Sequence, residues 1–352
     1  MAEGSTDKGV TLMHKANSFD IAQKVGVAQS TVSRALRGEK CVSEATRQRI
    51  IEAARELNYV MDRNASNMRL RTTATIALVV IYREDESVAS ISAFHHLLIG
   101  RIAEAAAERG YNILISFQNK AENLYGQYQD SRMADGLIVI GTTLNQPAWS
   151  YFSTIAAEGN AVARWGGRDD GAAWLMCDNL GGAALATEHL ITRGCKRIAF
   201  VGPTTPDQPQ FHERYAGFCD TMARHNLAPV QVPTISAANR DQHGYDSVVD
   251  LITRAEPFDG LFAASDTIAI GALRALYDHG RHAPHDVAVV GFDNIPAAKS
   301  YAPSLSSVEP DYLQAGKLLV QNVCDQIAGA QTATEPATTR VPVRLIIRES
   351  SK

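Results

Sequence analysis

The sequence predicts an all-α helix-turn-helix headpiece followed by an α/β core of parallel sheets flanked by helices. Three observations lead there. Residues 17–36 (NSFDIAQKVGVAQSTVSRAL) set two short amphipathic stretches on either side of a glycine. From residue 75 onward, short apolar strand candidates alternate with helical stretches, the pattern of parallel strands covered by helices. Charge is also segregated: residues 15–71 hold eleven Lys and Arg against six Asp and Glu, a net of +5, whereas residues 72–352 carry −8 within a whole-chain charge of −4. The basic excess falls where a phosphate backbone would be met.

Within the headpiece, Asn17 can accept the orphan amides of a helix start, and Asp20 puts negative charge in the first turn, where the helix dipole favours it. Ile21, Ala22 and Val25 line one face. Gly26 suits the left-handed conformation that closes a helix, Val27 drops back into the core, and Val32, Ala35 and Leu36 continue helical spacing on the second stretch. Gln29, Ser30, Thr31, Ser33 and Arg34 are left facing outward. Such side chains hydrogen-bond base edges and phosphates when a helix lies in a major groove. Ala28 offers no capping oxygen to this second helix, a cost of about 1 kcal/mol unless another group caps it. Ser43 caps a third helix whose Ile50, Ala53, Ala54 and Leu57 recur at three- and four-residue spacing, with Arg47, Arg49 and Arg55 read as a solvated face.

The segmentation follows composition. Residues 1–15 are polar and read as a disordered tail, residues 16–60 as the DNA-binding domain, residues 61–73 as a polar, basic hinge linker, and residues 74–352 as the core. Strand candidates in the core are TIALVVI, NILIS, GLIVIG, AVAR, LMC, RIAFVG, GLFAA, VAVVGF and RVPVRLIIR, and helices are expected around residues 99–108, 183–192 and 269–278. Several strands end in small or polar residues: Gly141, Arg164 and Trp165, Gly202, Ser265 and Asp266, and Asp293. In open α/β sheets, ligands sit at these carboxyl ends.

Other classes find little support. There is no run of eighteen apolar residues and no charged-then-apolar leader, which predicts a cytoplasmic protein with no membrane partner. The five cysteines (41, 177, 195, 219, 324) are scattered without CxxC spacing, as suits a reducing compartment, and argue against disulfides and structural zinc. GxGxxG, GxxxxGK[ST], GxSxG and HExxH are absent, so no catalytic residues and no cofactor are expected. His279, His282 and His285 are spaced by three, but Gly280 and Pro284 break the helix that would align them on a metal. Asp169 and Asp170 are adjacent, so their side chains diverge on a strand, and they are not read as an acid/base pair.

These residues carry a resemblance. From residue 18 to 68 the chain is similar to the headpiece of the lactose-repressor and galactose-repressor family of bacterial transcription factors, in IAxxxGVxxxTVSRAL and VSEATRQRIIEAARELNY. The core resembles the two-lobed fold that this family shares with periplasmic sugar-binding proteins, in ADGLIVIG, LATEHLITRGCKRIAFVG, ERYAGF, LFAASDTIAIGALRAL and DVAVVGFDNIPAA. The resemblance implies lobes of approximately 74–177 with 309–337 and 178–308 with 338–352. It implies that Gln29, Ser30 and Arg34 read bases in operator DNA, and that the linker folds on DNA into a hinge helix, pairs with its copy in a homodimer and inserts Met68 as a minor-groove wedge. Met61 and Asp62 depart from the family's usual proline and asparagine, which leaves the hinge less well matched than the headpiece.

For the core, the resemblance implies effector contacts from Arg214 and Asp293, an arginine fork and a carboxylate that suit vicinal hydroxyls. Ser265 would add a polar contact, Phe94 an aromatic near the mouth and Trp165 a face for a pyranose ring. The alternatives are that Phe94 and Trp165 belong to the core and that Arg214 and Asp293 form a structural ion pair. Asn239 falls near a stacking aromatic of purine-binding relatives, which favours a sugar. The expected function is a homodimeric repressor released from a near-palindromic operator by a small-molecule effector, a carbohydrate. The alternatives are a co-repressed regulator responding to a nucleobase or other metabolite, and a solute-binding protein without regulatory role.

Overall fold

Asn17 starts the first helix as a reciprocal cap. Its Oδ1 accepts the amides of Phe19 and Asp20, while Asp20 Oδ2 accepts the Asn17 amide at 2.8 Å. The resulting α1 (Ser18–Val25) ends at Gly26, whose φ of 73° only glycine adopts without strain. A computed structural model of the chain describes residues 16–36, 38–59, 72–166, 174–233, 239–329 and 339–352. Met61, Asp62, Met68, Asp169 and Asp170 lie outside the described residues. By compactness the chain divides into two units, at Thr72 and Thr73.

In the first unit, α1 is followed by α2 (Gln29–Leu36) and α3 (Glu44–Glu56), with Ser43 Oγ accepting the Thr46 amide. Ile21, Val25, Val32, Ala35, Ile50 and Ala53 are buried together, and Val27, Leu36 and Leu57 pack at the edge. Two of the arginines read as a solvated face have structural work instead. Arg49 donates to the Val25 carbonyl at 2.8 Å, so it occupies an orphan acceptor at the end of α1. Arg47 donates to the Glu39 carbonyl at 2.8 Å and pairs with Glu44, holding the connection into α3. Both exceptions arise because a helix C-terminus and a loop, each with unpaired carbonyls, face this side of α3.

The second unit holds two sheets. Strand β1 (Thr75–Ile81) leads to α4 (Ala93–Glu108), β2 (Asn112–Gln118), β3 (Gly136–Gly141), α5 (Gln146–Ala157) and β4 (Val162–Arg164). These strands form a parallel sheet in the order β2-β1-β3-β4, the expected product of right-handed strand-helix-strand crossovers. After β5 (Leu175–Cys177) come α6 (Asn179–Thr192), β6 (Ile198–Val201), α7 (Pro209–Arg224), α8 (Arg240–Thr253), β7 (Gly260–Ala263), α9 (Asp266–Asp278), β8 (Ala288–Phe292), α10 (Pro296–Ser300) and β9 (Ser306–Pro310). The chain returns through α11 (Tyr312–Ile327), which packs on α4, β3 and β4 of the first sheet, then passes β10 (Thr339–Val341) and ends with β11 (Val343–Ile346) and a short 3₁₀ turn.

The second sheet runs β11-β9-β8-β7-β6, parallel except for the β11 edge. Its strands β6, β7 and β8 are apolar throughout, as required of strands covered on both faces, whereas β9 carries Ser306, Ser307 and Glu309. Strands β5 and β10 form a two-stranded parallel ribbon, and Leu175 of β5 also bridges Trp165 just beyond β4. The sheet topology therefore distinguishes two lobes. Every strand proposed from sequence is present, RVPVRLIIR as two strands, β10 and β11, in different sheets, whereas α5, α7, α8, α10, α11 and β9 were not singled out there.

Candidate functional site

On the headpiece, Ser30 and Arg34 are exposed on α2, and Gln29, Thr31 and Ser33 are half-buried. Gln29 Nε2 donates to Ser18 Oγ at 3.0 Å, so its amide joins the start of α2 to the start of α1. This bond ties the start of α2, where Ala28 lacks a capping oxygen, to α1, and leaves Gln29 its carbonyl oxygen and second N–H for a base. Arg34 lies 4.0 Å from Glu39, an exposed pair that weighs little against a phosphate or a guanine. The arrangement is a helix face with one long cation, Arg34, and three hydroxyls, of Ser30, Thr31 and Ser33, which suits a groove.

In the second unit, the strand ends of the two lobes meet around Arg214 and Asp293. Arg214 projects from α7 and is 4% exposed. Its guanidinium stacks 3.5 Å from the Phe292 ring centroid and donates to Asn179 Oδ1 at 3.0 Å, to the Ala264 carbonyl at 2.5 Å and to Asp293 Oδ1 at 3.2 Å. The ion pair expected as the alternative reading thus exists. It leaves Asp293 Oδ2 without a hydrogen-bond partner among the described residues.

Asp293 is held in an unusual backbone conformation, φ 101°, which costs roughly 1–3 kcal/mol for a residue with a side chain. The surroundings fix it. Its amide donates to the Val308 carbonyl and its carbonyl accepts the Tyr312 hydroxyl at 2.6 Å. The next two amides are bound by Ser307 Oγ and Asp266 Oδ2, and Arg348 holds the Asn294 side chain. Asp266 is fully buried, and burial followed by the nearby Asp293 carboxylate drives its pKa well above the usual carboxylate range. Burial likewise raises Asp293, against the opposing pull of Arg214 and then Arg240. A strained backbone aiming a carboxylate is a pattern found at functional sites.

The first lobe brings aromatics to the same place. The Phe94 ring centroid lies 5.5 Å from Tyr312, 5.8 Å from Trp165 and 5.2 Å from His95. Trp165 is 5% exposed, so of the two aromatic candidates Phe94, which is half-buried, is the accessible one. Ser265 Oγ caps α9 by accepting the Ile268 amide at 3.5 Å, one residue along the chain from the Ala264 carbonyl that Arg214 binds. Four of the five candidate effector residues, Arg214, Asp293, Phe94 and Trp165, are joined in one network through Tyr312, and Ser265 adjoins it in the chain.

Four participants escaped the sequence reading. Tyr312 opens α11 and touches the second lobe from the first. Asn179, fully buried, accepts from Arg214 and donates to Glu213, which in turn binds Arg340 of the β10 ribbon strand through both carboxylate oxygens. His95 hydrogen-bonds Ser92 Oγ at 2.7 Å, and burial, then the positive charge of Arg240, takes its pKa down to about 4. Arg240 stacks 4.5 Å from the Phe211 centroid. Asn239, the residue before it, caps α8 by accepting the Gln242 amide. A capping asparagine followed by an arginine was the available signal. A further link between lobes runs from Thr143 Oγ1 to the Asp207 carbonyl at 3.3 Å.

Two parts, a groove-reading helical headpiece and a two-lobed core with convergent polar groups between its sheets, define a DNA-binding protein coupled to a ligand-binding module. Comparison with known proteins agrees. Residues 19–62 match the family described as bacterial regulatory proteins, lacI family, and residues 187–351 match a periplasmic binding protein-like domain. The HTH-type transcriptional regulator CelR of Thermobifida fusca is 30% identical over 342 residues, covering 94% of this chain and 96% of that protein. The PurR repressor of Actinobacillus pleuropneumoniae is 26% identical over 94% of this chain and 97% of its own length. Among solved structures, the CelR-cellobiose complex covers 96% of this chain and all of its own at TM-score 0.69 and 28% identity. The lac repressor dimer on operator DNA shares the fold at TM-score 0.73 and 21% identity, over 96% of this chain and 99% of that one. The chain belongs to the lacI family of bacterial regulatory proteins.

Proposed function

We propose that this regulator binds a near-palindromic operator as a homodimer and is released from it when a small hydroxylated ligand enters the cleft between the two lobes. The observation that carries the reading is the Arg214, Asp293 and Tyr312 junction, where a charged hydrogen-bonding pair of one lobe is tied to a helix of the other. A ligand that prefers one lobe arrangement weakens or strengthens DNA binding by its differential affinity for the two. The fold places the headpiece in the same chain, so such a shift has an output. Among relatives, CelR has been solved with cellobiose, which supports a carbohydrate effector for this chain. The purine alternative loses support at Asn239, which caps a helix where a stacking aromatic was sought. Among the described residues no helix is long and apolar enough to cross a membrane, consistent with a regulator that meets DNA in the cytoplasm.

A thermal-shift panel of cellobiose, ribose, glucose and the nucleobases tests the reading. A ligand at a hundred times its Kd adds about 2.7 kcal/mol of stability. Asp293→Ala and Arg214→Ala abolish that shift while leaving a DNA-binding protein, because removing one charged partner costs about 1.5–3 kcal/mol in binding. Undiminished binding by both variants places the pocket elsewhere.

A further inference from the structure

The charges on the cleft floor do not balance. Arg214 is committed to Asn179, the Ala264 carbonyl and Asp293, so the Asp293 carboxylate is already opposite one guanidinium. Asp266 lies behind the loop, with its oxygens on the Ser307 hydroxyl and the Ile295 amide. Arg240 is the second guanidinium. It is half-buried on Phe211 at 4.5 Å and has no hydrogen bond or ion pair among the described residues. Of the further charges that act on Arg240, Glu86 lies 3.5 Å from Arg83, which also binds Asp85 at 2.7 Å, so those carboxylates have a cation of their own. The histidine facing Arg240 from the first lobe, His95, is held neutral and supplies no compensating charge.

A guanidinium resting on an aromatic face with its N–H groups unmatched is a built half of a carboxylate or phosphate site. The same Phe211 ring carries both guanidiniums, Arg240 at 4.5 Å and Arg214 at 5.4 Å from its centroid, and the open Oδ2 of Asp293, Arg214's partner, is an acceptor for hydroxyls. From this juxtaposition, and resting on the reading of the cleft as the effector site, we infer that the effector is a hydroxylated anion, a sugar acid or a sugar phosphate, whose negative group is held by Arg240 and whose hydroxyls are held by Asp293. Phe211 keeps the guanidinium plane fixed, so a planar carboxylate or a phosphate face can be met by two parallel hydrogen bonds. Arg240 then decides specificity between charged and neutral sugars, while Arg214 and Asp293 are common to both.

The test is isothermal titration of the full chain with matched sets: glucose, glucuronate and glucose 6-phosphate, and ribose with ribose 5-phosphate, plus cellobiose as a neutral glycoside and inorganic phosphate as the bare anion. The inference expects at least one acid or phosphate to bind at least about ten-fold more tightly than its neutral parent, a charge-assisted hydrogen bond's worth. Carboxylate and phosphate members distinguish the two sources of charge. Arg240→Gln brings the ratio to about one while sparing neutral sugars, and Arg240→Lys restores part of it. Neutral sugars binding as well as or better than every anion overturns the inference and leaves the cleft reading standing. Equal loss of both classes in Arg240→Gln also overturns it, by making Arg240 a packing residue. Absence of binding by all members, anionic and neutral, counts against both the inference and the cleft reading.

Discussion

Tyr312 donates its hydroxyl to the main-chain carbonyl of Asp293 at 2.6 Å, so the first residue of a helix packed on one sheet touches the strained loop at the end of a strand in the other. Burial and the surrounding carboxylates keep that hydroxyl protonated by raising its pKa. The bond therefore is not lost through deprotonation of the hydroxyl near neutral pH. It is a direct mechanical link between the position of the lobes and the carboxylate expected to bind effector.

Tyr312→Phe removes the link and keeps the ring against Phe94. The expected cost is about 1 kcal/mol or somewhat more, because the Asp293 carbonyl is left without its partner in a buried place. Urea unfolding measures the loss, and the effector midpoint for operator release shifts with it, since the lobe equilibrium is no longer biased through this bond. A variant with reduced stability but an unmoved effector midpoint shows the bond to be structural only.

Much of this was legible in the sequence, for identifiable reasons. The headpiece could be read residue by residue because its capping, its glycine and its apolar spacing are local, and Asn17, Gly26 and Ser43 do what their types require. Buried parallel strands announce themselves as apolar runs. Helices α7, α8 and α11 carry polar and aromatic residues for the cleft on their flanks, which blurs the helical pattern. Arg214, Asp293, Phe94, Trp165 and Ser265 were proposed through resemblance, and the first four are joined by contacts through Tyr312. Tyr312 and Arg240 were missed because their significance depends on contacts with residues distant in sequence, Asp293 and Phe211, which no spacing along the chain encodes, and His95 because its burial is set by the fold. The structural use of Arg47 and Arg49 was missed for the same reason, since their partners are carbonyls 8 and 24 residues away.

Arg49→Met keeps the aliphatic stem and removes the donor to the Val25 carbonyl. Headpiece stability falls by about 1–2 kcal/mol, by loss of a charge-assisted bond to a helix end. Limited proteolysis with mass analysis reports it as faster cleavage between residues 16 and 59 and an unchanged rate in the core. No change in either unit means that water replaces Arg49 without cost.

Arg34→Ala weakens binding to the specific operator by about 1–3 kcal/mol and barely alters non-specific affinity, the signature of a base contact in the major groove. Fluorescence anisotropy on a selected duplex and on a scrambled one provides the comparison. Equal losses on both identify Arg34 as a phosphate contact.

His95 gives the core a pH dependence of definite sign. Its folded pKa is about 4, lowered chiefly by burial and then by Arg240, against an unfolded value of 6.5. The unfolded chain takes up the proton more readily, so the contribution is complete above about 6.5 and is lost as pH falls from there toward 4. The difference in unfolding free energy between wild type and His95→Gln therefore shrinks or reverses on acidification through this window. A difference that is constant from pH 7 to pH 4.5 contradicts the buried, neutral His95.

Selection of binding sites from a random duplex pool by the purified full chain, followed by sequencing, tests the central claim most directly. Two headpieces reading two half-sites enrich a near-palindrome, and repeating the selection with Arg34→Ala relaxes one symmetric pair of positions in it. Enrichment of a single asymmetric half-site, or no enrichment over the starting pool at physiological salt, contradicts a dimeric, sequence-reading regulator.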